Sequence, residues 1–435
     1  MQLQKICVSL HMLLFIITLT ISTSSRVFSN DTLSVEKHGQ LHVEGNKIVD
    51  KNGNPVALHG MSLFWSQWMG KYYNYDCVQW LRDDWNCTVV RAACGINGFA
   101  DGYLVDPQAE LAKVKVVIDA CIDLGIYVII DWHDHDAQDH LSQSISFFEG
   151  IANDYAGVPN IIYEIYNEPL QVSWSTVVKP YADSVVKHIR AIDSVNLIIV
   201  GTPTWSQDVD VAANNPLAYQ NIAYALHFYA ATHKQAYRNK ATIALNKGVA
   251  LFVSEFGTVT SSGDGTIDSA ETDIWMKFMN DNKISWCNWA IDDKAETSAA
   301  LQPDANANGG WVDSDISISG LFIRRKLREA YESSITSVRS INEVPLKYNL
   351  RQNYPNPFNP STIISYSLPE EAKVKIEIYN LLGQKVAALV DRIEVPGNHS
   401  VTWDAHNYSS GTYFYRMTAE GGKTFEKTQT LVLMR

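Results

Sequence analysis

The sequence predicts an α/β protein, a closed (β/α)8 barrel followed by a small all-β, immunoglobulin-like sandwich. Three observations carry that expectation. Eight short β-branched runs alternate with helix-periodic segments up to residue 291, polar residues collect where those runs end, and near residue 336 the chain turns Pro- and Asn-rich and then alternates strictly. Runs this apolar suit parallel strands covered on both faces, and eight of them suit closure. A doubly wound open sheet is the competing arrangement, but no Gly-rich turn follows the first strand.

Composition sets the outer limits. The 435 residues are 46% hydrophobic and 19% charged, enough for a sizeable core in more than one domain. The net charge is −12 and the Lys and Arg residues form no block, which argues against nucleic acid as a partner.

Taken in order, residues 1–29 place Lys5 before an apolar stretch at 6–21 and then small polar residues, the layout of a secretory signal peptide cleaved after Ser24 or Ser29. A membrane anchor is the alternative, but Ser9, His11, Thr18 and Thr20 interrupt the stretch and it is short for a span. No transmembrane segment is expected in the mature protein. Residues 41–60 read as a hairpin around Asn52-Gly53 leading into a first barrel strand near 56–60. Further strands are expected at 88–93, 127–132, 161–167, 197–202, 222–229, 250–256 and 285–291. Between them lie helices such as the one opened by Pro107 and closed by Gly125. The barrel domain is assigned to 32–335, a linker to 336–346, and the sandwich to 347–435, where Val374, Ile376 and Ile378 alternate with charged residues and strand-like runs recur at 399–403, 412–419 and 424–433.

Chemistry in such a barrel sits at the C-terminal ends of the strands. There the sequence places Arg91, Asp131, His133, Asn167, Glu168, His227, Tyr229, Glu255 and Trp289. Two glutamates on different strands, Glu168 and Glu255, are equipment for cleaving a glycosidic bond, with no metal or other cofactor required. Glu164, in the same run as Glu168, falls roughly 13 Å deeper along an extended strand and is read as a buried, hydrogen-bonded scaffold group. A raised pKa is expected for Glu168 as proton donor; Glu255 is expected to stay ionised beside Arg91 and Tyr229. Trp68, Trp205 and Trp289 are candidate platforms for the apolar faces of sugar rings.

The segments YEIYNEP, SEFGT, VVRAA, VIIDWH, ALHFYA and WCNWAIDDKAETSAAL, in that family's order through residues 40–330, together resemble glycoside hydrolase family 5, in particular its bacterial endoglucanases. The resemblance implies a retaining mechanism with Glu168 as acid/base and Glu255 as nucleophile. It also implies Asn167 on the sugar 2-hydroxyl, Arg91 and Tyr229 bonded to the nucleophile, His227 orienting the acid/base, His133 touching the sugar, Trp289 beneath it, and Lys294 and Glu296 as hydroxyl partners. Phe64, where many members carry His, and Gly95, where they carry Tyr, depart from the pattern at sugar-holding subsites. The segments NYPNPFNPSTIISYSLPEEAKVKIEIYNLLGQKVAALV and SSGTYFYRMTAEGGKTFEKTQTLVLMR resemble the C-terminal sorting domain of type IX secretion cargo, which implies the type IX machinery as a partner and a secreted or cell-surface location. A carbohydrate-binding module is the alternative, with Trp403 as its one tryptophan.

Two metal readings carry less. His133, Asp134, His135, Asp136 and His140 crowd one strand end without matching a ligand motif. Asp304, Asn306, Asn308, Gly309 and Asp315 mimic a calcium loop but read as an ordinary surface loop. The five cysteines beyond the signal, Cys77, Cys87, Cys94, Cys121 and Cys287, form no disulfide framework, though one bridge such as Cys77–Cys87 remains open. The expected function is a secreted, retaining endo-β-1,4-glucanase acting on cellulose or soluble glucans. The alternatives are a mannanase, xyloglucanase or mixed-linkage glucanase on the same barrel, a metallohydrolase, and a non-catalytic surface glycan-binding protein.

Overall fold

The computed structural model describes residues 34–434 apart from 97–100, 343–344, 346 and 354, so the expected signal peptide lies outside the described residues. After a short helix, Ser34–His38, comes an antiparallel pair, β1 (His42–Glu44) and β2 (Lys47–Val49), that turns at Gly45 and Asn46. The expected hairpin turn at Asn52-Gly53 closes only one bridge, Val49 to Pro55. The reason is local: Asp50 Oδ1 accepts from the backbone of Asn52 (2.8 Å) and Asn54 (3.0 Å), and that turn competes with a longer ladder. Leu41, Ile48, Val56 and Leu58 from this segment pack on Tyr127, Ile129, Leu197 and Phe252 and plug the bottom of the barrel.

The barrel itself is β3 (His59–Leu63), β4 (Val89–Gly95), β5 (Tyr127–His133), β6 (Ile161–Glu164), β7 (Leu197–Val200), β8 (Ile222–Ala225), β10 (Ala250–Gly257) and β11 (Ser285–Ile291). All neighbours are parallel, and β11 pairs with both β10 and β3, which closes the ring. The two-residue β9 (Phe228–Tyr229) pairs with the end of β10. The strand expected at 222–229 is therefore split, with Leu226 and His227 between its pieces. The helix opened by Pro107 runs to Asp123, with Asp106 accepting from the Ala109 backbone at its start.

Two-residue alternation sorts the side chains. Val128, Ile130 and Trp132 of β5 join the layer beneath the helices, while Tyr127 and Ile129 join the cluster inside the ring. One departure matters for function. On β10, Leu251 and Val253 belong to the outer layer and Phe252 to the inner cluster; the register then shifts between Val253 and Phe256. That bulge lets the consecutive residues Ser254 and Glu255 both reach groups inside the barrel.

The helix Ile318–Asn342 runs into the segment assigned as linker. Beyond it, β12 (Asn349–Leu350), β13 (Ser361–Leu368) and β16 (Gly397–Asp404) form one antiparallel sheet, and β14 (Ala372–Tyr379), β15 (Lys385–Glu394), β17 (Gly411–Glu420) and β18 (Thr424–Leu433) form the other. Their inner faces meet in a core that includes Ile364, Val374, Ile376, Trp403, Tyr415 and Leu431. Trp403 is thus a core residue, which removes the one tryptophan a sugar-binding face could have used. The five described cysteines are buried and unpaired, and burial pushes each thiol above its ordinary range.

Candidate active site

The site rises in layers from the middle of the barrel to its mouth. Arg91, the third residue of β4, is fully buried and stands below the strand end where the sequence placed it. Its Nε donates to Glu164 Oε2 (2.7 Å), Nη1 to Glu255 Oε2 (3.1 Å), and Nη2 to Asn167 Oδ1 (2.7 Å) with Asp131 Oδ2 at 2.9 Å. One cation therefore faces three carboxyls. A lone buried carboxylate is costly; the shared guanidinium is what makes this cluster tolerable. Burial opposes the Arg91 charge, yet the three carboxyls hold the guanidinium well above its usual value.

Glu164 is the scaffold group expected, but its depth is not. The strand ends at Glu164 itself, and residues 165–168 leave strand geometry, so Glu164 lies one layer under the mouth. Burial raises its pKa, but the larger combined pull of Arg91 and His227 takes it below the ordinary carboxylate range. Asp131 goes the other way, pushed well up by burial with Glu164 and Glu255 adding to the shift. Its Oδ2 lies 2.6 Å from His133 Nδ1.

Glu168 and Glu255 converge. One carboxylate oxygen of each, together with a ring nitrogen of His227, lies within 4.8 Å of the others. Their partners differ. Glu255 accepts from Arg91 on one oxygen and from the Tyr229 hydroxyl on the other (2.9 Å), whereas Glu168 Oε1 faces His227 Nδ1 at 3.0 Å. Gly257 permits the Tyr229 contact: a Cβ there would fall 2.3 Å from the phenol ring. Contrary to the expectation of a carboxyl simply held down, burial and the Glu168 charge push Glu255 up, against the pull of His227, Arg91 and Tyr229. The trio would also suit a cation by spacing, but the Arg91 guanidinium already supplies the positive charge there.

Aromatic rings line the mouth. His133 stacks on Trp289 at 5.0 Å and 3°, Phe64 tilts against the same ring at 5.1 Å, and Trp65 meets His133 edge-on at 4.2 Å. Trp289, favoured by position, is only 7% exposed, while Trp68 and Trp205 are 52% and 38% exposed and offer open faces. Trp205 sits in a left-handed turn with Thr204 and Ser206, tied by its N–H to the Pro169 carbonyl (2.8 Å) and so held beside Glu168. Lys294 pairs with Glu296 at 2.6 Å and lies over the Phe64 ring. At the departure Gly95, a Cβ would fall 2.4 Å from Gln67 Oε1, so Gln67 fills the space a larger residue would take.

The side chains of the remaining motifs pair with neighbouring groups. His140 Nδ1 pairs with Asp134 (2.7 Å), His133 turns inward to Asp131, and His135 faces Glu168, so the histidine-rich strand end points in three directions. In the calcium-like loop, Asn306 accepts from the Asn308 backbone and Asp315 from that of Val312. Sequence reading missed Ser254 and Trp65 and gave Asp131 no role of its own. Asp131 was accessible, being two residues from His133 on the same strand face; Ser254 was hidden by the bulge, and Trp65 carried no signal.

A parallel eight-stranded barrel with two carboxyls meeting across its mouth among open tryptophans is a glycoside hydrolase. The family model for Cellulase (glycosyl hydrolase family 5) matches residues 49–295, and the chain belongs to that family. A second match, to a secretion system C-terminal sorting domain, covers residues 352–430 and marks the chain for export through a type IX system. Similar proteins include an endoglucanase of Clostridium saccharobutylicum, 46% identical over 303 residues (69% of this chain, 67% of that one), and endoglucanase Z of Dickeya dadantii, 51% identical over 280 residues (64% and 65%). The chain thus spans about two thirds of the length of these relatives. Among solved structures, one from Cytophaga hutchinsonii is 52% identical with a TM-score of 0.68, covering 70% of this chain and 99% of that one. The catalytic domain of Thermobifida fusca endoglucanase Cel5A is 36% identical with a TM-score of 0.65, covering 68% and 99%. Among the described residues, no helix is long and apolar enough to cross a membrane.

Proposed function

We propose that this enzyme is an endo-β-1,4-glucanase that cleaves internal bonds of cellulose or soluble β-glucans with retention, Glu168 acting as acid/base and Glu255 as nucleophile. The observation that carries the reading is the close approach of these carboxyls with opposite partner sets. Glu255 has a donor on each oxygen, which favours the ionised form needed for attack. Glu168 faces a histidine rather than a cation, so the role of proton donor to the leaving oxygen is assigned to it. In the first step Glu255 bonds to the anomeric carbon as Glu168 gives its proton to the departing chain; in the second, Glu168 takes a proton from the water that releases the sugar. Carboxylate oxygens within 4.8 Å of each other leave no room for water between carboxylate and sugar, which is the retaining arrangement.

On this reading Asn167 serves the 2-hydroxyl, His133 touches the sugar, Trp289 lies beneath it, Trp68 and Trp205 take neighbouring rings, and Lys294 and Glu296 take outer hydroxyls. A Thermobifida fusca Cel5A relative has been solved in complex with cellotetraose, consistent with a β-glucan substrate here. We delimit the catalytic domain as 32–335 and the sorting domain as 347–435, the latter engaging the type IX machinery. Reducing-sugar release from carboxymethyl cellulose, mannan and xyloglucan, measured side by side, should be highest on the first, and NMR of the nascent product should show the β-anomer. A nascent α-anomer, or preference for mannan, overturns the mechanism or the substrate respectively.

A further inference from the structure

A chain of hydrogen bonds runs through the barrel interior between the two active carboxyls, and one member of it has no role in the reading above. Ser254 Oγ lies 2.5 Å from Glu164 Oε1 and 2.9 Å from His227 Nε2, and all three side chains are fully or almost fully buried. A hydroxyl has one proton to give. Glu164, ionised against Arg91, can only accept, so the Ser254 proton goes to Glu164 and the Ser254 oxygen must accept from His227. The hydrogen on Nε2 is thereby committed.

We propose that Ser254 is a positioning residue that fixes the tautomer of His227, confining the transferable proton of the His227–Glu168 pair to the Nδ1–Oε1 contact. The proposal rests on Glu168 being the acid/base. With Nε2 always protonated, removing the shared proton leaves the Nδ1 lone pair against the Glu168 carboxylate at 3.0 Å, an unfavourable contact. The pair therefore keeps its proton to higher pH than an imidazole free to choose its tautomer. The other charged or titratable groups around His227 are Glu164 at 3.7 Å, Glu255, Asp131, His133, Arg91 and the neighbouring Tyr229. Burial lowers the His227 pKa, and the nearby Glu164, Glu168 and Glu255 carboxyls outweigh this and lift it to about 9, in the direction the network requires.

Without the Ser254 oxygen, neutral His227 can carry its hydrogen on Nδ1 and donate it to ionised Glu168. The deprotonated pair is then stabilised and the proton leaves earlier. The test is the pH profile of kcat/KM for Ser254→Ala and Ser254→Thr in the full chain, with 15N NMR of the His227 ring as the second measurement. Ser254→Ala should move the alkaline limb down by about one pH unit or more, and Ser254→Thr, which keeps the hydroxyl, should restore it. NMR of the parent protein should show neutral His227 protonated on Nε2, with Nδ1 protonation gaining population in Ser254→Ala. A uniform loss of rate with an unmoved alkaline limb, or an unchanged tautomer in Ser254→Ala, overturns the proposal. Full hydrolysis by Glu168→Ala, with the tautomer as described, instead overturns the assignment of Glu168.

Discussion

The barrel and the sandwich solve the problem of a buried centre in opposite ways. In the sandwich, Ile364, Val374, Ile376, Trp403 and Leu431 meet face to face, and the buried Glu394 is paired at its edge with Tyr366 and an exposed Arg392. In the barrel, Arg91, Asp131, Glu164 and Glu255 sit at the middle of the ring, all nearly inaccessible. Apolar packing of similar volume would be at least as stable as such an ionic cluster. The charges in the barrel are explained by chemistry, and their absence from the sandwich fits a domain that is recognised rather than one that reacts.

The sharpest way to break that contrast is Glu255→Ala, expected to lower hydrolysis by about 10⁴-fold or more while leaving binding of a cello-oligosaccharide measurable by calorimetry. Retained activity would mean that the barrel's charges serve something else. Next in size is Arg91→Met, which leaves three carboxyls facing one another without a cation. It should destabilise the barrel by about 3–5 kcal/mol in denaturant unfolding and abolish activity, with the sandwich transition unmoved. Trp403→Ala should show the converse, a loss of about 3–5 kcal/mol confined to the sandwich with kcat unchanged.

Acid should separate the two regions as well. Burial lowers the pKa of His59 and of His233 to about 4, from 6.5. Both are neutral when folded, so between about pH 6.5 and 4 the unfolded chain binds more protons, and their contribution is complete above that window and lost as pH falls through it. Thermal melts across the window should therefore show the barrel losing stability, and His59→Phe should flatten that slope. The smallest effects are expected from Trp68→Ala and Trp205→Ala. Each removes an open ring worth about 0.5–1.5 kcal/mol, raising KM for polysaccharide a few-fold with kcat almost unchanged.

The sequence alone determined the architecture and the two glutamates that converge at the mouth. Period-2 and helical patterns report burial on one face or two, and strand-end position reports the mouth, so eight strands, the change of texture near 336, and Glu168 and Glu255 were all accessible to local reading. Tertiary structure alone decided what lies one layer below. The bulge in β10 turns Glu255 inward beside Ser254, the strand carrying Glu164 stops short of its expected end, and Arg91 gathers partners from four other strands and the loop bearing Asn167. Those are long-range facts. A residue's proton depends on which groups from distant parts of the chain reach within 3 Å of it, and no periodicity along a single segment encodes that distance.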